Sequence, residues 1–166
     1  MPHRTRIAVI GVGNEFRRDD GVGWVMIDRL RERAADRPLP PGALLATCDG
    51  DPARLIGLWE GADLAVVVDA AHAHPAHPGR VHRLTLDAGE LDRPRTTSSH
   101  GLGLGEAVEL ARVLGRLPGR LVVYAVEGAD TALGTGLSPS VEAVVEPLAD
   151  DIEDEIVRHR DAATRG

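Results

Sequence analysis

Residues 63–70 read DLAVVVDA. The run is apolar from Leu64 to Val68 and β-branched at its centre, which suits a strand buried on both faces. Such strands occur in parallel sheets covered by helices, so the segment points to an α/β fold. Upstream, RIAVIGV (6–12) reads as another buried strand. A helix is predicted from Asp20, with Val22, Met26 and Leu30 at i, i+4 and i+8 and Val25 beside them. The prolines of RPLPPG end that region because they cannot continue a helix. ALLATC (43–48) then reads as a strand and PARLIGLWEGA (52–62) as a short helix.

Downstream, RVHRLTL (80–86) mixes Val81 and Leu84 with Arg83, as a strand nearer a sheet edge would. Ser98 and Ser99 are suited to cap a helix that carries Leu104, Val108 and Ala111 on one face. RLVVYAV (120–126) is a further core strand. The last helix is expected to start at Ser138-Pro139, with Ser138 as its cap and proline in its first turn. Its stripe is Val141, Val144, Val145, Leu148, Ile152 and Ile156, and Pro147 should kink it. Residues 157–166 are expected to fray. Strand and helix alternate with no repeat and no dividing linker, so residues 1–166 form a single α/β domain with helices on both sheet faces.

The composition narrows the function. Phe16, Trp24, Trp59 and Tyr124 are the only aromatics, so valine, leucine and alanine must fill the core. A net charge of -7 with no basic stripe argues against nucleic acid. All 19 basic residues are arginine, which excludes a P-loop lysine, a Schiff-base lysine or a lysine base. The one cysteine, Cys48, forbids an internal disulfide and fits a reducing compartment. No apolar run approaches a membrane span, and IAVIGVG runs into charge without a cleavage site. The expected location is the cytoplasm, with no membrane partner.

The loop after the first strand, GVGNEFRRDDGVG (11–23), looks at first like a phosphate cradle. Two features argue against that. The dinucleotide fingerprint needs a glycine where Phe16 stands and an acid about 20 residues on, whereas Asp49 comes much later. Asp19 and Asp20 would also repel a phosphate. G-x-S-x-G, H-E-x-x-H and C-x-x-C are all missing. Cys48 remains a formal nucleophile, though a small buried side chain ending a strand is the simpler reading.

In α/β sheets, ligands gather beyond the carboxyl ends of the strands. Asp20 opens the first helix, Asp69 ends the run LAVVV, and His100 opens a helix after TTSS. Separately, each has a bland role: a cap, a partner for loop amides, a surface histidine. Together, two carboxylates and an imidazole suit a borderline divalent ion such as nickel or zinc, held weakly without a thiolate. His72, His74, His77 and His82 form a second cluster. It reads as a solvated loop that scavenges metal, or as a recognition loop beside the site. The acidic run ADDIEDE reads as a solvated helix face.

Four segments in this order and spacing carry a family resemblance: GVGNEFRRDDGVG, VVVDA, SSHGLGL and GLSPSVEAVVEPL. From about Arg6 to about Ile156 the chain resembles the maturation endopeptidases of nickel-iron hydrogenases. The resemblance implies a three-layer sandwich built on a twisted, mostly parallel five-stranded sheet. It implies removal of a C-terminal extension from the hydrogenase large-subunit precursor once nickel is installed, with that nickel recognised. The metal-binding residues would be Asp20, Asp69 and His100. Nickel would come with the substrate, and zinc or cadmium could substitute. Gly11, Gly13 and Asn14 would shape the loop, and Asp49 and Gly50 would touch substrate. Where relatives tend to show a second glycine, this chain has Asp51. Whether Asp20 or Asp69 is the base, or metal polarises the water, stays open. The rival readings are a non-catalytic nickel-binding chaperone on the same scaffold and a small-molecule hydrolase.

Overall fold

The computed structural model describes residues 5–87 and 104–165. Five strands form one sheet: β1 (Ile7–Val12), β2 (Ala43–Cys48), β3 (Leu64–Ala71), β4 (Val81–Asp87) and β5 (Arg120–Glu127). Their order is β2-β1-β3-β5-β4, and all neighbours are parallel except β4, which runs antiparallel to β5 at the edge. The uninterrupted apolar run of β3 lies at the centre, where every residue of the strand is buried.

Alternation along β3 divides the core into two layers. Leu64, Val66, Val68 and Ala70 pack with α1 (Val22–Asp36), the short α4 (Pro139–Glu142) and α5 (Val145–Arg165). Ala65, Val67 and Ala71 pack on the other face with α2 (Pro52–Trp59) and α3 (Leu104–Leu114). Asp69 shares the parity of this second set, so the pleat directs it toward the α2/α3 side. Trp59, fully buried, anchors that layer and donates its indole N–H to the Arg116 carbonyl at 3.1 Å.

The C-terminal region differs from expectation in three respects. Pro147 does not kink one long helix. The chain makes the single turn α4, breaks at Ala143 and Val144, and restarts, so that Pro147 falls in the first turn of α5. A proline is tolerated there because its missing N–H had no helical partner to lose. Ser138 precedes α4 as expected, but its hydroxyl bonds Asp19 rather than capping the helix. Beyond Ile156 the chain remains helical to Arg165, where a frayed tail was expected.

The acidic run is not a purely solvated face either. Arg33 on α1 donates to Asp150 at 2.7 Å and Glu153 at 2.8 Å, joining α1 to α5. Glu155 is buried and pairs with Arg83 of β4 and with Arg158.

Candidate active site

The first loop is shaped by close backbone contacts. Gly11 lies against α1: a Cβ there would sit 2.1 Å from the carbonyl oxygen of Gly23. Gly13 has φ +139°, and a Cβ would fall 2.0 Å from the Asp20 carbonyl oxygen. These glycines admit backbone to backbone, a different use from cradling phosphate. Asn14 then turns the chain, its side-chain oxygen accepting from the Phe16 N–H at 2.9 Å. Arg18, a non-glycine residue in left-handed backbone at φ +43°, closes the turn with its N–H on the Gly134 carbonyl.

The two adjacent acids divide the work. Asp19 is completely buried and accepts four hydrogen bonds, from the N–H groups of Ala129, Asp130 and Ser138 and from the Ser138 hydroxyl, all at 2.7–2.9 Å. Burial pushes its pKa up, but the bonds from Ser138, Asp130 and Ala129 outweigh that and hold it below the usual carboxylate range. Asp20 faces the other way. Its Oδ2 accepts the Asn14 N–H at 3.0 Å, and its Oδ1 lies 4.0 Å from His72 Nε2. Both acids sit in a 3₁₀ turn, Arg18–Gly21, and α1 begins at Val22 without a side-chain cap.

Asp20 and Asp69 line one cleft of about 220 Å³ at the carboxyl ends of β1 and β3. Val12, Leu55 and Leu104 supply its apolar walls, and Asp49, Gly50 and His72 complete the polar rim. Asp69 is 9% exposed, with Oδ1 accepting the following Ala70 N–H at 2.8 Å. Desolvation chiefly, and secondarily the Asp20 charge, push its pKa up to about 7 against the Ala70 bond. A carboxylate pair at an apolar-walled cleft repels anions and gains from a cation.

The remaining expected residues are distributed as follows. His100 lies outside the described residues, as do Ser98 and Ser99. Asp49 and Gly50 reach the cleft, and Gly50 at φ +102° occupies backbone that favours glycine. Asp51 instead caps α2, accepting the Arg54 N–H at 3.3 Å. Cys48 is buried, and desolvation first of all raises its pKa, which disfavours the thiolate that a nucleophile would need. Among the described residues no three histidine, cysteine, aspartate or glutamate side chains are grouped to hold a metal ion. Asp20 and Asp69 fit such a role as two oxygen donors that need a third partner.

Sequence reasoning did not give Asp19 its buried clamping role, and it named His72 only as one of four histidines in a loop beside the site. Consecutive side chains in a tight turn point apart, so the Asp19-Asp20 pair itself was the available signal for the first. Nothing local separates His72 from its three neighbouring histidines.

A family model described as hydrogenase maturation protease matches residues 49–155. The hydrogenase expression/formation protein HupD of Bradyrhizobium diazoefficiens is 29% identical over 130 residues, 75% of this chain. The match spans 64% of that relative's length, just under two thirds. Among solved structures, the hydrogenase maturating endopeptidase HybD of E. coli is 27% identical, with a TM-score of 0.69 over 89% of this chain and 90% of its own. The [NiFe] hydrogenase maturation protease HycI of Thermococcus kodakarensis KOD1 is 25% identical, with a TM-score of 0.64 over 93% of each chain.

Proposed function

Because the chain belongs to the hydrogenase maturation protease family, we propose that it is an endopeptidase that trims the C-terminal extension of a nickel-iron hydrogenase large-subunit precursor. The observation that carries this reading is the convergence of Asp20 and Asp69 on one cleft at the carboxyl ends of the strands. The same loop that presents Asp20 also exposes Phe16, and the loop bonded to it exposes Leu133.

In this reading nickel arrives as part of the substrate. Asp20 and Asp69, with His100 as the third donor, contact it and thereby distinguish loaded from unloaded precursor. Asn14 holds one oxygen of Asp20 and leaves the other toward the cleft, while the Ala70 N–H holds one oxygen of Asp69. Engagement of the metal fixes the scissile peptide against the rim formed by Asp49 and Gly50. A carboxylate of the pair takes a proton from the attacking water, and the departing amine receives one as the peptide bond breaks. Zinc or cadmium would occupy the same donors in vitro. A reducing cytoplasm is the setting, in line with the free thiol of Cys48; no helix among the described residues is long and apolar enough to cross a membrane.

The test is to mix the purified protein with nickel-loaded precursor and weigh the subunit by intact mass spectrometry. Loss of a C-terminal peptide supports the endopeptidase. Stable binding without a mass change would replace it with a nickel-binding chaperone.

A further inference from the structure

The two edges of the sheet are guarded differently. β4, at one edge, carries His82, Arg83 and Asp87, which pair with Glu127, Glu155 and Arg120 respectively. β2, at the other edge, reads ALLATC and carries neither a charge nor a proline. Charges and prolines are the usual means of keeping a further strand off an exposed edge. β2 is also less covered than β1 or β3: only Cys48 is buried, and Leu44 is 52% exposed.

The backbone shows which groups this edge offers. The Gly42 carbonyl accepts the Ile7 N–H at 2.9 Å, and the Cys48 carbonyl accepts the Gly13 N–H at 3.0 Å, so both point toward β1 and its continuation. Along a strand, the N–H and C=O groups of successive residues point to alternate edges. Leu44 and Ala46 therefore turn theirs to β1, whereas Ala43, Leu45 and Thr47 turn theirs outward. The Ala43 N–H is taken by the Pro40 carbonyl at 3.1 Å. Leu45 and Thr47 have no backbone hydrogen-bond partner on that side among the described residues. Just beyond them the chain runs through Cys48 into Asp49 and Gly50, which line the cleft with Asp20 and Asp69.

We infer that the outer edge of β2 receives an extended segment of the protein substrate, which adds to the sheet as a further strand and leads the scissile bond into the cleft. The inference rests on the endopeptidase reading and supplies a docking surface for it. Main-chain hydrogen bonds to Leu45 and Thr47 would hold such a segment whatever its sequence. Leu44 is in register with Ala8, which belongs to the layer packed against α2 and α3. An apolar side chain of the segment beside Leu44 would continue that layer outward. Because the edge ends at the cleft, it favours the chain being cut over a second copy of this protein. The segment would lie three strand spacings from β3, about 14 Å from the line of Asp69. At roughly 3.3 Å per residue, the scissile bond then falls about four or five residues from the last paired residue.

The test uses the full chain and nickel-loaded precursor, with cleavage followed by intact mass. Thr47→Pro removes one outward N–H, at an edge position where proline is tolerated. Leu44→Lys places a charge on the same edge without removing a buried side chain. The expected result for each is a rise of about tenfold in KM, with kcat within about twofold of wild type and Tm unchanged. Hydrogen exchange over residues 43–48 of the wild type should slow while saturating precursor is turned over. Should Thr47→Pro not fold, Leu44→Lys and the exchange measurement decide. Wild-type cleavage with exchange over 43–48 unchanged, or with KM within twofold in the folded variants, overturns the inference and leaves the endopeptidase reading intact. Exchange that slows with protein concentration in the absence of precursor gives the edge to a second copy and also overturns it. No cleavage by the wild type removes the endopeptidase reading, and this inference with it.

Discussion

Asp19 and Asp20 are chemically identical neighbours with opposite duties, and the difference lies in what surrounds each. Asp19 satisfies three backbone N–H groups and a hydroxyl from the 128–138 segment, fixing the loop that presents Asp20. Asp19→Asn would aim an amide NH₂ at donors that need an acceptor. The expected loss is about 3 kcal/mol of stability, seen as a fall in Tm of roughly 6–12 °C; an unchanged Tm would refute the clamp. The role was not legible in the sequence because its partners lie more than a hundred residues away. Asp20 and Asp69 were legible, since acids ending or following buried strands fall where the fold gathers ligands.

Asp69 gives a pH signature of opposite sign from an ordinary paired carboxylate. Its folded pKa, pushed up to about 7, exceeds the usual value of 3.8, so between those limits the folded state binds the extra proton. Stability therefore falls as pH rises from about 4 to about 7, by on the order of 4 kcal/mol in all. Asp69→Asn should flatten this part of the Tm–pH curve of the metal-free protein and leave the variant more stable than wild type at pH 8. Parallel curves for the two proteins would show that the pKa of Asp69 is not raised on folding. The shape fits a site held at some expense to stability for the sake of binding.

Among the elements, the β1–α1 pair sets the geometry on which Asp20 depends. A Cβ on Gly23 would lie 2.5 Å from the Val68 carbonyl oxygen and 2.7 Å from the Val12 N. These are backbone atoms at the middle of the sheet, so neither neighbour has a side chain to move aside. Gly23→Ala is expected to remove at least ~2 kcal/mol of stability, measurable by urea unfolding; a loss under 0.5 kcal/mol would mean the helix has freedom to lift away. The helices themselves were readable from apolar spacing, because α1 and α5 each turn one stripe to the sheet. The break between α4 and α5 was not, because Pro147 alone does not say whether a helix bends or restarts. That choice follows from Val141 and Val145 both reaching the same core from either side of the break.

At the scale of the whole molecule, alternation of strand and helix was enough to give the α/β class and a covered sheet. It was not enough to give the antiparallel sense of β4, which depends on the loop from His72 to Arg80 turning back beside β5. That loop read as solvated because histidine and proline dominate it. The structure fastens it through Glu127, a residue whose burial no local pattern announces. The protein as a whole presents a small cleft lined by Asp20 and Asp69 at one end of the sheet, and Phe16 and Leu133 are exposed on two loops bonded to each other.

The central claim is that Asp20 and Asp69 make proteolysis conditional on the metal carried by the precursor. The most direct measurement compares cleavage of nickel-loaded and nickel-free precursor by intact mass, for wild type, Asp20→Asn and Asp69→Asn. The account predicts a shortened subunit only for wild type acting on loaded precursor, with each variant reduced by about a hundredfold or more in rate. Equal cleavage of loaded and unloaded precursor, or full activity in either variant, would contradict it.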